Sequence, residues 1–423
     1  MPIPAAFWER IPLPPANILM SASIHTPEVT VFGTGQYTTG LNSGESALPA
    51  SHTPGVIALV LADLKRRGII EHVRMVCTSA ERRDMVKRHL RKTIDRKYRG
   101  LSTDFEFLVM SSPLKPSSHA SSPRIAVVAT PDDTHFAIAQ NCLEAGMHVL
   151  SMKPLVKELA QHYALCRLSR ERGLLLGIDY HKRFDPIYAD ARARARRLGD
   201  FSFMASYMSQ PSSQRRAFSK WAGTRSDISY YLNSHHVDYL AWVLEGCARP
   251  ISVSAGASSQ NQGASVACGE DQISLSVSWE LNDSSARGLS IHSASWIAPP
   301  SDAHSQQRFH YMGTHGEITV DQARRGYLAA SHEEGFASVN PLYMRFTPVD
   351  GHFVGQDAYG YRSIEAFMRA AAGETPSTSL ALAGSTMQVT AVLQAGRLSL
   401  ERHGQPIAIG YAEDDWSMPI SLT

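Results

Sequence analysis

The chain has 423 residues, of which 43% are hydrophobic and 19% charged, which is ordinary globular composition and enough for two domains with complete cores. Its 41 basic and 39 acidic residues leave a formal charge of +2, so no overall field would attract nucleic acid or an anionic membrane. The five cysteines include no CxxC pair, which favours reduced thiols in a cytoplasmic protein and predicts no metal site. No apolar run approaches the roughly 18–20 residues of a membrane span.

The start of the chain is set apart by its proline content. Five prolines interrupt residues 1–25, which have neither a basic start nor a continuous apolar stretch, so they do not resemble a signal or transit peptide. We predict an arm over residues 1–27 that packs on the body of the protein or on a partner subunit. The patterns that follow divide the rest into a first domain, 28–180, and a second, 181–423.

A β-branched strand in the first domain runs into a glycine turn. The strand 29–32 is followed by Gly33, Thr34, Gly35, Gln36 and Tyr37, then by a polar loop (41–54), a helix (55–67) and a strand (73–78). This order opens a dinucleotide-binding domain, in which glycines let the backbone approach a pyrophosphate. Because Thr38 stands in place of the third glycine of G-x-G-x-x-G, a simple tight turn remains the alternative.

A βαβ unit follows, and it carries the most informative residues. We predict a strand over 124–130, a helix over 135–145 and a strand over 148–151, with Gly146 between the last two. A βαβ crossover places consecutive strands parallel and adjacent, so Thr130 and Lys153 emerge side by side at the carboxyl edge of the sheet. Open α/β sheets bind ligands at that edge. A helix over 155–172 and a strand over 174–178 complete the domain.

The second domain shows a different pattern, in which short strands succeed one another with few helices between them. The predicted strands cover 201–208, 251–256, 273–280, 289–296, 309–312 and 318–320. Such a run predicts a largely antiparallel sheet and a domain of the α+β type. Two helices stand out there, over 229–244 and 380–398. In the first domain, 100–122 is rich in serine and proline, and we predict a surface excursion.

The helix over 229–244 is the second candidate for chemistry. Tyr231, His235, Asp238 and Trp242 are spaced so that they share one face of the helix. Histidine is the side chain best suited to accept or donate a proton near neutral pH, and an adjacent carboxylate can fix its tautomer. The alternative is a purely structural histidine that is hydrogen-bonded to Asp238.

Five motifs in a fixed order carry a resemblance to a known family. They are Thr130-Pro131 with His135 four residues later, the run from Ala145 to Lys153-Pro154, Arg183-Phe184-Asp185-Pro186, His235-His236-Val237-Asp238, and the glycine-rich turn Gly313 to Ile318. Over residues 28–400 the chain resembles the glucose–fructose oxidoreductase/inositol dehydrogenase/rhizopine catabolism (Gfo/Idh/MocA) family.

The resemblance implies a fold, a cofactor and residue roles. The expected fold class is α/β, with an N-terminal Rossmann domain that holds NAD or NADP and a C-terminal α+β domain whose large open, mainly antiparallel sheet forms homo-oligomers, dimers or tetramers. Substrates in the family are mostly sugars, polyols and cyclitols. By the same resemblance, Lys153 contacts the cofactor and the reacting oxygen, and His235 is the general acid or base. Thr130 and Pro131 line the cofactor, and His135 lies near its ribose.

Three departures from the family pattern bear on this transfer, one of which is the loop 41–54 that lengthens the segment after the pyrophosphate turn. Met152 replaces the family glutamate before the lysine, and Tyr231 replaces the aspartate four residues before the catalytic histidine. A phenol with a pKa of about 10 can donate to a substrate oxygen but cannot act as a carboxylate partner for His235. His181, Asp238 or Tyr231 itself then takes that task, or the substrate differs from the usual polyol.

Cofactor preference and substrate contacts are predicted from shorter segments. The preference for NAD or NADP depends on the residues after the second strand. There Thr78, Ser79 and Arg82 favour binding of the 2′-phosphate of NADP, whereas Glu81 is compatible with NAD. A small-molecule substrate is expected to contact Lys153 and His235 together with second-domain side chains. The candidates are Arg183, Asn233 and His236, with Ser209, Gln210 and Trp221 as further specificity residues.

Three functions are compatible with these residues. The first is an NAD(P)-dependent dehydrogenase or reductase of a sugar-like or polyhydroxylated metabolite. The second is a redox-neutral enzyme, an epimerase, a lyase or a glycoside-cleaving protein, that retains its cofactor, and Tyr231 motivates it. The third is a non-catalytic NAD(P)-dependent metabolite sensor, against which the presence of both Lys153 and His235 argues.

Overall fold

The computed structural model describes residues 26–41, 53–110, 122–217, 221–223, 225–259, 269–282, 286–299, 305–323, 326–332, 335–413 and 415–423. The predicted arm therefore lies outside the described residues except for its last two, and so do most of the predicted loop 41–54 and residues 111–121 of the predicted excursion. Within the described part, no helix is long and apolar enough to span a bilayer.

The first domain is a parallel sheet with helices on its faces. Its elements are β1 (Glu28–Phe32), α1 (Gln36–Thr39), α2 (Val56–Arg66), β2 (His72–Cys77), α3 (Ala80–Leu90), β3 (Glu106–Val109), β4 (Arg124–Val128), α4 (His135–Glu144), β5 (His148–Ser151), α5 (Leu159–Glu171) and β6 (Leu176–Ile178). The strand order is β6-β5-β4-β1-β2-β3. Since β1 lies between β2 and β4, the order reverses there, and the carboxyl ends of β1 and β4 bound a crevice.

Burial explains why β1 and β4 are central strands, and charged pairs join the strands toward the edge at β3. Val29 and Val31 of β1 and the apolar side chains of β4 are fully buried, and the buried side chains of α2 belong to the same core as Val29 and Val31. Toward the edge formed by β3, Arg74 of β2 forms ion pairs with Glu28 of β1 at 2.8 Å and with Glu106 of β3 at 2.9 Å. The stretch around Phe107, predicted as part of a surface excursion, is the edge strand β3, parallel to β2.

The second domain packs helices on one face of a large sheet. Its elements are α6 (Pro186–Ala195), β7 (Phe201–Pro211), α7 (Ser212–Ala217), α8 (Ser234–Val243), β8 (Ala248–Ser258), β9 (Gln272–Leu281), β10 (Arg287–Ala298), β11 (Gln306–Gly313), β12 (Gly316–Asp321), β13 (Tyr327–Ser331), β14 (Gly335–Val339), α9 (Tyr359–Ala371), β15 (Ala381–Leu382), α10 (Met387–Glu401), β16 (Ile407–Tyr411) and β17 (Pro419–Leu422). The eight strands run in the order β12-β11-β7-β10-β9-β8-β16-β17. The pairing of β7 with β10 is parallel and the other pairings are antiparallel, which confirms the predicted mainly antiparallel sheet.

Part of the C-terminal half returns to the first domain. The short strand β15 pairs antiparallel with β6 and so extends the first sheet. Helix α9 packs against α2, where the Tyr361 hydroxyl donates to Asp63 at 2.7 Å and accepts from Arg67 at 2.7 Å. A division at residues 180 and 181 therefore does not separate the two bodies completely, because the chain crosses back after β14.

Candidate active site

Two glycines of the first turn have different surroundings. Gly33 has φ +102°, and an added Cβ would lie 2.1 Å from the carbonyl oxygen of Ala129, so the turns after β1 and β4 touch through this residue. An added Cβ on Gly35 would meet no atom of the described residues within 4 Å. Gly33 is therefore required by the fold, whereas Gly35 leaves open space at the crevice.

The helix after this turn is interrupted. α1 spans a single turn and ends at Gly40 in the left-handed conformation. Gly55 packs against the backbone of Thr38 and Thr39, where an added Cβ would lie 2.3 Å away. In the sequence, 41–54 thus separates two stretches of helix, α1 and α2, that remain in contact through Gly55.

Arg82 joins the end of β2 to the glycine turn. Its Nε donates to the Thr34 hydroxyl at 3.1 Å, and its Nη2 donates to the Thr34 carbonyl. Ser79 accepts from the backbone N–H of Arg82 at 3.1 Å and caps α3, while Thr78 is exposed. The guanidinium predicted to select the cofactor therefore lies beside the predicted pyrophosphate turn.

Thr130 and His135 occupy the turn after β4, but in different ways. Thr130 accepts from Thr134 at 2.7 Å, and Pro131 is half-buried at the crevice. His135 is buried, with Nδ1 at 2.8 Å from the Pro154 carbonyl and Nε2 at 2.8 Å from the Thr130 carbonyl. Because both ring nitrogens contact backbone oxygens, His135 ties the two strand ends together, and its expected place near the cofactor ribose stays a prediction.

Lys153 extends from the end of β5 across to the second domain. Its Nζ donates to the Tyr231 carbonyl and lies 4.1 Å from the centre of the Tyr231 ring. Burial lowers the pKa of Lys153 to about 8, against the opposing effect of Asp132 and Asp179. The lysine is therefore an ammonium at neutral pH that loses its proton only slightly above it.

His235 lies in the first turn of α8, beside Lys153. The residues before it, Ser229–Asn233, form a π-helical turn rather than the predicted continuous α-helix, and the Asp227 carboxylate accepts from two backbone N–H groups at its start. Burial, and then the charge of Lys153, hold the pKa of His235 well below its usual value. The imidazole is therefore neutral at pH 7 and able to accept a proton.

Tyr231 contributes an aromatic wall on the second-domain side. Its ring stacks on Trp296 with 5.2 Å between centres and meets Trp221 edge-on at 5.4 Å. Burial raises its pKa to about 12, partly offset by a hydrogen bond with Gln210. The phenol therefore stays protonated at any physiological pH.

A second group of polar residues lies at the carboxyl end of β6. Asp179 accepts from Tyr37 at 3.0 Å and from Ser363 at 2.7 Å, and its carboxylate lies 3.8 Å from Nδ1 of His181. Gln36, next to Tyr37, is half-buried. The same sheet-edge argument that identified Lys153 also applies to Asp179, which directly follows β6, so its position was accessible from the sequence although it was not predicted.

Three predicted substrate residues are engaged elsewhere in the second domain. Arg183 makes a bidentate pair with Asp238, at 2.9 and 2.5 Å, and both side chains are buried. His236 is buried against Tyr188, whose hydroxyl lies 2.9 Å from its Nε2. Asn233 donates to Ser229 at 3.1 Å and is 2% exposed. These contacts hold α8 in place, and the Asp238 carboxylate pairs with Arg183 rather than with His235.

The crevice suits a dinucleotide better than a metal ion. The open space over Gly35, the buried Thr38 hydroxyl that has no hydrogen-bond partner among the described residues, and Arg82 beside Thr34 together offer space, a donor and a positive charge. In the described ranges, no group of three or more His, Cys, Asp or Glu side chains is arranged to hold a metal.

Comparison with known proteins agrees with this geometry. Residues 90–180 match the model of the Gfo/Idh/MocA oxidoreductase family, described as an NAD-binding Rossmann fold. The chain is 31% identical over 117 residues to the uncharacterized oxidoreductase YdgJ of Escherichia coli K12, covering 27% of this chain and 34% of YdgJ. The chain thus spans about a third of the length of that relative.

Solved structures match over nearly the whole chain. GenD2 from gentamicin A biosynthesis, in complex with NAD, superposes with a TM-score of 0.65 at 17% identity, covering 92% of this chain and 98% of GenD2. Scyllo-inositol dehydrogenase from Lactobacillus casei, with NAD(H) and scyllo-inositol bound, gives a TM-score of 0.61 at 16% identity, covering 90% of this chain and 99% of the enzyme. At these identities the likeness is one of fold.

The fold class predicted from the sequence is thereby confirmed, and the predicted family resemblance is confirmed over residues 90–180. A Rossmann domain with its switch point at Gly33, a second domain with a large mixed sheet, and the family match over 90–180 agree with one another. Over residues 90–180 the chain is thus similar to the Gfo/Idh/MocA oxidoreductase family, and over nearly its whole length it shares the fold of the solved dehydrogenase structures.

Proposed function

We propose that the protein is an NAD(P)-dependent dehydrogenase or reductase that acts on a CH–OH or carbonyl carbon of a sugar, polyol or similar polyhydroxylated metabolite. One observation carries this proposal. The Lys153 ammonium of the first domain reaches the helix that bears His235 in the second, beside the switch point of the first sheet. A cation and a proton acceptor thus meet at the edge where the family binds its cofactor.

The residues that would hold the cofactor belong to the first domain. Gly33, Thr34 and Gly35 would take the pyrophosphate, and Thr130 and Pro131 would border the cofactor on the opposite side of the crevice. Arg82 would contact the 2′-phosphate of NADP, which we propose as the preferred cofactor. When bound, the nicotinamide supplies or accepts the hydride.

The two central side chains have complementary protonation states. At pH 7 Lys153 is protonated and His235 is neutral. For oxidation, the ammonium would hydrogen-bond the substrate oxygen and stabilise its developing negative charge, and the imidazole would accept the hydroxyl proton. Holding the substrate between these groups also fixes the orientation that hydride transfer needs.

The aromatic wall and the open sheet face support two further parts of the proposal. The half-buried Tyr231 ring, backed by the buried Trp296, borders the Lys153 ammonium where a ring-shaped substrate would lie, and the Lactobacillus casei protein holds scyllo-inositol. On the sheet face away from the helices, Leu289 and Met312 are 38% and 39% exposed. We propose that this face forms a homo-oligomer, since exposed apolar patches mark interaction surfaces.

The test uses binding and turnover together. Purified protein is titrated with NADH and NADPH, and then assayed for a net change in the reduced nicotinamide absorbance with scyllo-inositol, myo-inositol and a panel of sugars. Gly35→Ala should retain the wild-type Tm, because its Cβ meets no described atom within 4 Å, but should bind the dinucleotide at least about tenfold more weakly. Gly256→Ala, also in open space but on the strand β8, is the matched control and should change neither property.

Each outcome has a defined meaning. Net reduction or oxidation of the nicotinamide supports the dehydrogenase. Substrate conversion without a net absorbance change and without added cofactor would instead support the redox-neutral enzyme. Cofactor binding without conversion of any substrate in the panel would contradict the proposed activity and favour the sensor.

A further inference from the structure

The histidine proposed as proton acceptor lacks the partner that would orient it. In the described part of the chain, Nδ1 of His235 is buried and has no hydrogen-bond partner. A buried imidazole beside an ammonium is a poor place to keep a proton, since desolvation and the charge of Lys153 both disfavour the imidazolium. The protein must therefore supply a neighbouring group that stabilises the proton His235 accepts.

Two of the three groups expected to take this task are engaged elsewhere. Asp238 is held in the bidentate pair with Arg183. Tyr231 offers its carbonyl and its ring to Lys153, and its hydroxyl bonds Gln210. His181 is the remaining one.

His181 is placed next to both His235 and a carboxylate. Its ring centre is 5.2 Å from that of His235, and its Nδ1, which has no hydrogen-bond partner among the described residues, lies 3.8 Å from the Asp179 carboxylate, within ion-pair range. Tyr359 stacks on the His181 ring at 5.6 Å and Tyr343 meets it at 5.6 Å, which fixes the ring between the two domains. Asp179 is itself held by Tyr37 and Ser363.

We propose that His181, oriented by Asp179, is a positioning and relay residue for His235 in the oxidoreductase reaction. This inference rests on the proposed function and concerns only the proton. The O–H bond of the substrate breaks with its electrons left on oxygen, and His235 takes the proton. His235 then passes one proton to His181, whose imidazolium forms beside the negative Asp179. Family members have a carboxylate four residues before the catalytic histidine. Here the Asp179 carboxylate takes that role, and it acts on His235 through the imidazole of His181.

The charged and titratable groups around His235 and His181 determine how the reaction rate depends on pH. Lys153 and His236 face His235 from β5 and α8, while Lys182 and His181 face it from the segment after β6. Tyr343 and Tyr359 border His181 from the segment that precedes and begins α9. Over pH 6–7 His235 stays neutral and Lys153 stays largely protonated, so a change of rate in this window reports on the group that receives the proton.

The experiment compares His181→Gln with wild type over pH 6–7, using the substrate of the panel that wild type turns over. Glutamine keeps a polar side chain but cannot become a cation. We expect kcat to fall about 100-fold at pH 7, the lower end for a group engaged in proton transfer, with KM and cofactor affinity changed less than about threefold. The kcat of the variant should rise with pH, because hydroxide must remove the proton from His235, whereas that of wild type stays level.

Three further variants separate this role from a structural one. Asp179→Asn should lower kcat in the same direction, and His315→Gln, an exposed histidine in the turn between β11 and β12, should behave as wild type. Imidazole added to His181→Gly should restore part of kcat.

The outcomes are distinguishable from failure of the proposed function. If wild type turns over a substrate and His181→Gln has the same kcat and a level pH profile, the relay is wrong while the dehydrogenase stands. Equal losses of kcat and cofactor affinity in His181→Gln would also overturn the relay, because they indicate a structural role. If wild type turns over nothing in the panel, the proposed function fails and this inference fails with it.

Discussion

The two sides of the crevice are built by different means. On the first-domain side the backbone defines the shape: Gly33 lets two strand ends touch, and Gly35 leaves the space beside them open. On the second-domain side the shape comes from side chains, with Tyr231 stacked on Trp296 and His181 placed between His235 and Asp179. A site whose shape is formed by the backbone tolerates side-chain substitutions. A site whose shape is formed by side chains can replace one interacting side chain by another while the fold is kept.

The first prediction concerns the support behind the second-domain wall. Asp238→Ala should lower the free energy of unfolding by about 3–5 kcal/mol, because it leaves the buried Arg183 guanidinium without its bidentate partner. Denaturant unfolding measures this loss. The control is Asp190→Ala on α6, which breaks an exposed pair with Arg194 and should cost less than about 0.5 kcal/mol. A small loss of stability with a changed pH profile of kcat would instead make Asp238 the partner of His235.

The second prediction concerns the residue that crosses between the two sides. Lys153→Ala should lower kcat on the order of 100-fold or more, the range for a positioned electrostatic donor. Since burial lowers the pKa of Lys153 to about 8, wild-type kcat for oxidation should decrease as pH rises above 8 and the ammonium is lost. The control, Lys157→Ala, removes an ammonium that donates to the Arg225 carbonyl and should leave kcat unchanged. A near-normal rate in Lys153→Ala would remove the lysine from the mechanism.

The difference between the two sides also explains what the sequence could predict. The parallel sheet, its crevice and the position of Lys153 follow from local periodicity and from the chirality of one βαβ unit, and the fold class was confirmed. Asp179 carried the same signal and was missed. Tyr343 and Tyr359 could not be found, because more than 150 residues separate them from His181 and no periodic pattern places them there. His135 and Arg183 matched family motifs, but their contacts are structural.

The third prediction concerns the first-domain side of the crevice, where one side chain, Arg82, should determine whether NADPH or NADH binds more tightly. Arg82→Gln should weaken NADPH binding about 10- to 100-fold, the value of a charge-assisted hydrogen bond, and change NADH binding less than about threefold. Arg83→Gln is the neighbouring control, since Arg83 pairs with Asp84 at 2.9 Å on the surface. Fluorescence titration with both dinucleotides measures the ratio. Equal losses for the two cofactors would show that Arg82 only braces Thr34 and does not read the 2′-phosphate.

The fourth and smallest effect tests whether Tyr231 acts through its ring or its hydroxyl. Tyr231→Phe keeps the face that lies 4.1 Å from the Lys153 ammonium and the stack on Trp296, so kcat should change less than about threefold. Tyr231→Leu removes that face and should lower kcat about tenfold, in keeping with a desolvated cation–π contact. If Tyr231→Phe loses as much activity as Tyr231→Leu, the phenol hydroxyl donates to the substrate, and the aromatic wall then takes a direct part in the chemistry.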